Sequence, residues 1–334
     1  MNDGRTAIAD SVLDAIGGTP IVRLSRVQPD LDRELLLKLE MVNPGGSHKV
    51  RIALNMILEA ENAGDLVRGS GQTIIEPTGG NTGTGLAMAA AVLGYKLVLV
   101  IPDNYSKSKQ QLLRSYGADV RLSDHRRGGN SHGEMAISLL FDNPDWVMLN
   151  QQANPANPAI HERTTALEIL SAMRGRVPDA LVAGVGTGGH LTGIGRVLRK
   201  HNPDLRIVAV LPEGCSLLEN RFVHHSIQGL AVGLVPAVLD VDLIDSEIQV
   251  AHGDAIDMMR RLMQTEGLGV GISSAANVVA ACRLAKELDE GACILTFAYD
   301  GVLDYLDALP DIPPSPDGVG SDDAGGRLGR EDLH

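Results

Sequence analysis

Apolar segments of strand length alternate with amphipathic helical patterns between about residues 70 and 300, and this alternation restricts the fold more than any other feature of the chain. The predicted strands cover residues 73–75, 96–101, 120–122, 146–149, 180–184, 206–211 and 292–297. The predicted helices between them include residues 107–116, 159–173, 191–200, 255–266 and 275–288. A strand, a helix and a second strand in this order form a βαβ unit, in which the two strands run parallel. The sequence therefore predicts an α/β fold with mainly parallel sheets and helices on both faces.

The composition excludes several classes of protein. The chain has 334 residues, of which 44% are hydrophobic and 21% are charged, as is ordinary for a globular protein of one or two domains. The net charge of -13 argues against nucleic acid as a partner, because nucleic-acid affinity depends on cationic contacts with phosphate. No apolar run is long enough to span a bilayer, and residues 1–10 lack the apolar core of a signal peptide. We therefore expect neither a membrane partner nor a nucleic-acid partner.

The cysteine and histidine patterns add to this expectation. Cys215, Cys282 and Cys293 form no CxxC pair, so we expect a reduced, cytoplasmic setting. The ten histidines are scattered without metal-ligand spacing, so we expect no metal. After Pro310 the chain becomes rich in Pro, Gly, Asp and Ser, and residues 312–334 are predicted to be a disordered tail.

Lys49 is a candidate nucleophile. It follows the glycine pair Gly45–Gly46 and directly precedes an amphipathic run, so a helix is expected to begin at or beside it. The positive end of a helix dipole disfavours an ammonium, and a lysine with a lowered pKa can form a Schiff base. The alternative is a solvated surface lysine.

Two glycine-rich loops each lie between a predicted strand and a predicted helix. Residues 76–85 read EPTGGNTGTG, and successive backbone N–H groups at such a helix start suit a carboxylate or a phosphate. This segment alone is equally compatible with a turn capped by Thr82. Residues 184–193 read GVGTGGHLTG, which contains GxGxxG, and the next strand ends near Glu213, where a dinucleotide fold carries its ribose-binding acid. The additional donors Thr187, His190 and Thr192 favour a terminal phosphate, while a dehydrogenase remains the alternative.

A Schiff-base lysine, a carboxylate loop and a phosphate loop together describe a pyridoxal phosphate enzyme that acts on an amino acid. From Ser11 to Tyr305 the chain resembles the cysteine synthase and cystathionine β-synthase family, the fold type II pyridoxal phosphate enzymes. The resemblance rests on seven motifs in order: residues 16–24, 43–49, 76–83, 151–158, 186–189, 227–229 and 271–274. It implies two three-layer αβα domains of the tryptophan synthase β type.

The resemblance also implies the domain limits and the roles of individual residues. An N-terminal domain would cover residues 45–155 and include a mobile substrate-binding subdomain at about 82–130; residues 10–44 and 156–311 would form the larger, cofactor-binding domain. Lys49 would carry the cofactor and act as the base, and Asn81 would hydrogen-bond its 3′ oxygen. The remaining roles are substrate carboxylate binding by Thr78, Gly79, Thr82 and Gln151, and phosphate binding by Gly186, Thr187, Gly188, Gly189 and His190.

Several positions depart from the family pattern. Gly79 stands where a serine is usual, Gln152 stands at an aromatic position, and His190 replaces a threonine. Asp300 falls where the family presents a hydroxyl to the pyridine nitrogen, and a carboxylate there would keep that nitrogen protonated. The alternative for Asp300 is a cap on the following helix.

The resemblance implies a homodimeric synthase that performs β-replacement on an O-activated serine through an aminoacrylate, with a nucleophilic co-substrate. The product could be a non-protein amino acid. Asp300 would also suit a β-elimination lyase or a racemase, and a dehydrogenase or a non-catalytic binding protein is the more distant alternative. Residues 213–225 are the expected entrance for the second substrate, where Arg221, His224 and His225 could attract an anion or could simply be solvated.

Overall fold

The structure is a computed structural model and describes residues 8–28, 32–128 and 130–309. Ten strands follow in chain order: β1 (Ile21–Arg23), β2 (Glu34–Leu39), β3 (Thr73–Glu76), β4 (Lys96–Pro102), β5 (Asp119–Ser123), β6 (Val147–Met148), β7 (Ala180–Gly184), β8 (Arg206–Pro212), β9 (Ser246–Val250) and β10 (Cys293–Ala298). The α-helices of these residues are α1 (Lys49–Ala63), α2 (Asn81–Leu93), α3 (Lys107–Ser115), α4 (Ser131–Asp142), α5 (Ala156–Ile160), α6 (Ala166–Ala172), α7 (Gly189–His201), α8 (His252–Glu266) and α9 (Ile272–Ala285).

The strands form two sheets. The larger has the order β1-β2-β10-β7-β8-β9, and the smaller has the order β5-β4-β3-β6. Every pairing is parallel except the one between β1 and β2. The predicted α/β class with mainly parallel sheets is therefore confirmed.

Apolar side chains cover both faces of each sheet. In β2, Leu35 and Leu37 pack into one hydrophobic cluster, while Leu36 between them packs into another on the opposite face. This alternation follows from the two-residue repeat of a strand. The smaller sheet likewise has separate clusters, with Ile74 in one and Ile75 in the other. Each sheet thus forms the middle layer of an αβα sandwich.

The observed elements differ from the predicted ones in two respects. Strands β1, β2 and β9 were not among the predicted strands. The single helix predicted at residues 159–173 is instead α5, a π-helical turn over His161–Thr165, and α6. The domain limits stay predictions, although the smaller sheet draws all its strands from residues 73–148. The predicted tail lies outside the described residues.

A buried ionic network fixes the start of α1 against β2 and α6. The Arg51 guanidinium donates to Glu40 Oε2 at 2.8 Å and to Glu168 Oε1 at 2.7 Å. Lys38 Nζ, whose side chain is fully buried, lies 2.8 Å from Glu168 Oε2. Buried charges are tolerated only when they are paired in this way, so the network restricts how α1 can enter the fold.

No helix within the described residues is both long enough and apolar enough to cross a membrane.

Candidate active site

Lys49 is the first residue of α1, as the glycine pair before it predicts. Gly45 and Gly46 have φ angles of +80° and +78°, which side chains rarely adopt, so they allow the sharp turn into the helix. The amine Nζ lies 3.5 Å from Thr187 Oγ1 and has no carboxylate partner in the described structure. Burial lowers the pKa of Lys49 to about 8, so the neutral amine is accessible near neutral pH.

The Lys49 side chain stands between two connected spaces. The inner cleft has about 670 Å³ of open volume and is lined by Lys49, Asn81, Thr187, His190 and Asp300, among others. The outer cavity shares Lys49, Asn81 and Thr187 with it and continues past Thr78, Thr82 and Gln151. The structure thus brings together both sets of predicted site residues, with the lysine where they meet.

The glycine loop between β7 and α7 approaches its neighbours too closely for side chains. A Cβ on Gly186 would lie 2.3 Å from the carbonyl oxygen of Gly229, and one on Gly189 would lie 2.0 Å from Asn157 Oδ1. Gly188 is the N-cap of α7, with a φ of +82° and no side-chain cap, which leaves the first N–H groups of the helix without a capping side chain. The loop and the helix start are therefore suited to bind an anion beside Thr187.

His190 belongs to a group of three buried imidazoles behind this loop. Its ring centroid lies 5.2 Å from that of His48 and 4.7 Å from that of His161. Neither nitrogen of His190 has a hydrogen-bond partner within the described residues. Burial, followed by the charge of Lys49, lowers the pKa of His190 well below its usual value. The ring is therefore neutral and retains an N–H that can be donated to an anion in the inner cleft.

Asp300 follows β10 and lies with its carboxylate in the inner cleft. Its Oδ2 accepts hydrogen bonds from Asn81 Nδ2 and from Tyr305 Oη, both at 2.7 Å. Burial raises the pKa of Asp300, while these two donors oppose the rise. The alternative in which Asp300 caps the next helix is wrong, because Gly301 is the N-cap of the 3-10 helix Val302–Ala308, which has no side-chain cap.

The carboxylate loop, residues 76–85, begins with a buried acid, Glu76, which binds the neighbouring backbone. Glu76 accepts the backbone N–H groups of Asn150 and Gln151 at 2.8 and 2.9 Å. Thr82 Oγ1 donates to Gln151 Oε1 at 2.7 Å, and Gly80, the N-cap residue of α2, provides no side-chain cap. Thr82 and Gln151 therefore lie at an open helix N-terminus, which is favourable for a carboxylate.

The structure explains the glycine at position 79. A Cβ there would lie 2.5 Å from Ile101 Cγ2 and 3.1 Å from Tyr105 Cε1. A serine would therefore collide with the end of β4, and the loop cannot carry the additional hydroxyl donor in this packing.

The hypothesis that residues 213–225 form the entrance finds no support in the structure. None of these residues lines the inner cleft or the outer cavity. Arg221 instead donates to the Gly214 carbonyl oxygen and pairs with Glu219, and His225 Nε2 is 3.2 Å from the Ala231 carbonyl oxygen. Glu213, the acid expected in a dinucleotide fold, is exposed and lies outside both spaces.

Sequence reasoning missed four residues that the fold adds to the site. Tyr105, Lys109 and Tyr305 line the inner cleft, and His132 lines the outer cavity. No local motif marks them.

A family model for pyridoxal-phosphate dependent enzymes matches residues 12–300, and the chain belongs to this family. Its cofactor is therefore pyridoxal 5'-phosphate. A cysteine synthase of Staphylococcus aureus is 42% identical over 288 residues, covering 86% of this chain and 92% of the relative. The O-ureido-L-serine synthase of Streptomyces lavendulae is 41% identical over 318 residues, covering 94% and 95%. A crystal structure of O-ureido-L-serine synthase superposes with a TM-score of 0.87 at 40% identity, covering 92% of this chain and 98% of that one.

The residues of the inner cleft fit this cofactor. Lys49 offers an amine with no carboxylate partner, and the crowded glycine loop leaves open N–H groups at the start of α7 for a phosphate. The unpartnered N–H of the neutral His190 ring is a polar group that a bound ligand would satisfy, and the buried carboxylate of Asp300 is held in the cleft by Asn81 and Tyr305. The family assignment and this fit replace the dinucleotide interpretation of the second glycine loop.

Proposed function

We propose that this protein catalyses β-replacement on an O-activated L-serine, in which a nucleophile takes the place of the oxygen leaving group. The observation that carries the proposal is the position of Lys49, which lines both the phosphate-binding inner cleft and the carboxylate-binding outer cavity. The relatives named cysteine synthase and O-ureido-L-serine synthase support the same reaction type.

The contacts support the following roles. Lys49 would hold the cofactor covalently, and the glycine loop with Thr187 and His190 would hold its phosphate. The bound cofactor withdraws electrons from the substrate's α-carbon and so makes its proton acidic. Lys49, released as a neutral amine, would then remove that proton. The helix start at α2 with Thr78, Thr82 and Gln151 would bind the substrate carboxylate beside it.

Asp300 would place a carboxylate at the ring nitrogen of the cofactor. Tyr305 and Asn81 donate to it and favour its ionised form, and an anion at this point favours a protonated ring. A more strongly electron-withdrawing cofactor also suits β-elimination without replacement, or racemisation, so Asp300 supports these as the second candidate functions.

Nitrogen-15-labelled pyridoxal phosphate would test the role of Asp300 without relying on turnover. In the wild-type holoenzyme, we expect the ring nitrogen to show the chemical shift of a protonated pyridine. In Asp300→Asn, we expect the same nitrogen to show the chemical shift of an unprotonated pyridine. Tyr305→Phe should keep the protonated shift, because the carboxylate remains. An unprotonated ring in the wild type would contradict the proposed contact.

We also propose a cytoplasmic homodimer. The three cysteines are buried and free, which suits a reducing compartment. Light scattering of the purified protein would test the oligomeric state, and a monomer at micromolar concentration would contradict the dimer.

The reaction type is tested by adding O-acetyl-L-serine to the holoenzyme and following the absorption of the bound cofactor. We expect a shift on addition of this substrate alone, and reversal when an acceptable nucleophile follows. Release of pyruvate without any nucleophile would favour a lyase, and loss of optical purity in recovered L-serine derivatives would favour a racemase. Absence of any cofactor absorption would contradict the proposal.

A further inference from the structure

Asn157 is a buried amide that lies between the two proposed binding sites but lines neither the inner cleft nor the outer cavity. It is the second residue of α5. Its Nδ2 donates to the Gln151 carbonyl oxygen at 2.8 Å and to Thr187 Oγ1 at 3.1 Å. Gln151 belongs to the proposed carboxylate site and Thr187 to the proposed phosphate site, so one NH2 group is bonded to a member of each.

The neighbours of Asn157 determine which way its amide faces. A carbonyl oxygen only accepts hydrogen bonds, so the atom beside the Gln151 carbonyl must be the NH2 nitrogen. The second N–H then reaches Thr187 Oγ1, which acts as the acceptor and keeps its own hydrogen for another partner. Lys49 Nζ, at 3.5 Å from the same oxygen, is at the outer limit of a hydrogen bond. The Thr187 hydrogen is therefore available to an anion bound at the start of α7.

The carbonyl end of the same amide is packed against the phosphate loop. Asn157 Oδ1 lies 2.0 Å from the position of a Cβ on Gly189, the first residue of α7, so a side chain at Gly189 would displace the amide. The partial negative charge of this oxygen is favourable at a helix N-terminus. Asn157 is thus held between Gln151, Thr187 and Gly189, and it cannot move without disturbing one of them.

We propose that Asn157 is a positioning residue, which holds the phosphate site and the carboxylate site in register and directs the Thr187 hydroxyl towards the cofactor phosphate. This inference rests on the proposed function, because it takes the roles of the two sites from there. Asn157 acts through the Gln151 backbone on one side and through the Thr187 side chain on the other. Its loss should therefore weaken the binding of cofactor and of substrate together.

Asn157→Asp tests the proposal with almost no change of shape. A carboxylate cannot donate to the Gln151 carbonyl, and it would accept the Thr187 hydrogen that the phosphate otherwise receives. We expect cofactor affinity, measured by equilibrium dialysis, to fall at least about tenfold. At saturating cofactor, the concentration of O-acetyl-L-serine that half-shifts the cofactor absorption should rise at least about tenfold. The phosphorus-31 resonance of the bound cofactor should also move.

Asn55→Asp is the matched control. Asn55 is also buried, and its Nδ2 donates to the Ala156 carbonyl oxygen on α5, but it lines neither cavity. Arg163, which already donates to Asn55 Oδ1, can pair with the new carboxylate. Both affinities and the phosphorus resonance should stay at their wild-type values. Asn157→Ala removes the same two hydrogen bonds as Asn157→Asp without adding a charge, and it should show the same two losses if Asn157→Asp does not fold.

A double-mutant cycle separates positioning from a general loss of packing. Thr187→Val has no hydroxyl, so adding Asn157→Ala to it should cause little further loss of cofactor affinity but should still raise the half-shift concentration through Gln151. Additive losses of cofactor affinity would show that Asn157 only packs, and they would overturn the inference. Wild-type affinities in both Asn157→Asp and Asn157→Ala would overturn it as well, with the proposed function intact. If O-acetyl-L-serine does not shift the absorption even in the wild type, the proposed function fails, and the link to a carboxylate site fails with it.

Discussion

The inner cleft and the outer cavity meet at Lys49 but are built in different ways. The inner cleft is bounded by the residues that follow β10, the start of α7 and buried ionisable groups, including Asp300, His48 and His190. The outer cavity is walled by loops and helix starts whose polar side chains are largely uncharged. From this difference we infer a division of work, in which the inner cleft would hold the cofactor and the outer cavity would select among small substrates by hydrogen bonding. Changes in the inner cleft should therefore affect cofactor retention, and changes in the outer cavity should affect substrate steps alone.

The largest effect should come from Lys49→Ala, which removes the residue that both spaces share. We expect the characteristic absorption of lysine-bound cofactor to disappear and kcat to fall by at least about 1000-fold. A lysine-to-alanine variant of O-ureido-L-serine synthase has been crystallised with O-ureido-L-serine bound, so that fold tolerates the change. Circular dichroism should accordingly show a folded protein, and turnover at the wild-type rate would refute the assignment.

The next largest effect concerns the buried network that supports the start of α1. Arg51→Met leaves Glu40 without its closest cation, and we expect the free energy of unfolding to fall by about 3–5 kcal/mol in urea titrations. Arg68→Met is the matched control, because Arg68 pairs with Glu61 at the surface and such pairs contribute about 0–1 kcal/mol. Equal losses in the two variants would contradict the structural role of the network.

The same network gives the protein a defined sensitivity to acid. Burial alone would raise the pKa of Glu168, but hydrogen bonds and charges from Arg51 and Lys38 lower it from 4.5 to about 2. A carboxyl group whose pKa is lower in the folded protein stabilises the fold at any pH above its unfolded-state pKa. This stabilisation is lost as the pH falls from 4.5 towards 2. The free energy of unfolding should decrease over this pH range. Its decrease per pH unit should be smaller in Arg51→Met than in the wild type.

Gly186→Ala should weaken cofactor binding, although Gly186 lines both the inner cleft and the outer cavity. The new Cβ would meet the backbone carbonyl of Gly229, which cannot move as a side chain could, so the loop must shift away from its phosphate-binding shape. We expect cofactor affinity, measured by equilibrium dialysis, to fall about 100-fold, which corresponds to about 2.8 kcal/mol. Gly253→Ala on α8 meets no atom within 4 Å and should leave cofactor affinity unchanged.

The two regions also differ in how well the sequence predicts them. Lys49 and the glycine loops could be recognised because each is a short local pattern whose chemistry depends on neighbouring residues. Tyr305 and His132 could not, because only the packing of distant elements brings Tyr305 to Asp300 and His132 to the outer cavity. Strand β2 escaped prediction for a similar reason: its fully buried Lys38 is stabilised by Glu168, which lies far away in the chain. Gly79 was noted as a departure, and its cause, the contact with Ile101, also required the fold.

Thr82→Val should have the smallest effect and is the direct test of the outer cavity. The substitution keeps the shape of the side chain but removes the hydroxyl that donates to Gln151, so the carboxylate site loses a polar group while the inner cleft is untouched. We expect KM for O-acetyl-L-serine to rise about tenfold, or about 1.4 kcal/mol, with unchanged cofactor absorption and affinity. Thr84→Val, two residues further along α2 and outside both spaces, should leave KM unchanged. Because cofactor retention and substrate affinity are measured on the same samples, loss of cofactor from Thr82→Val would show that the two spaces are not independent.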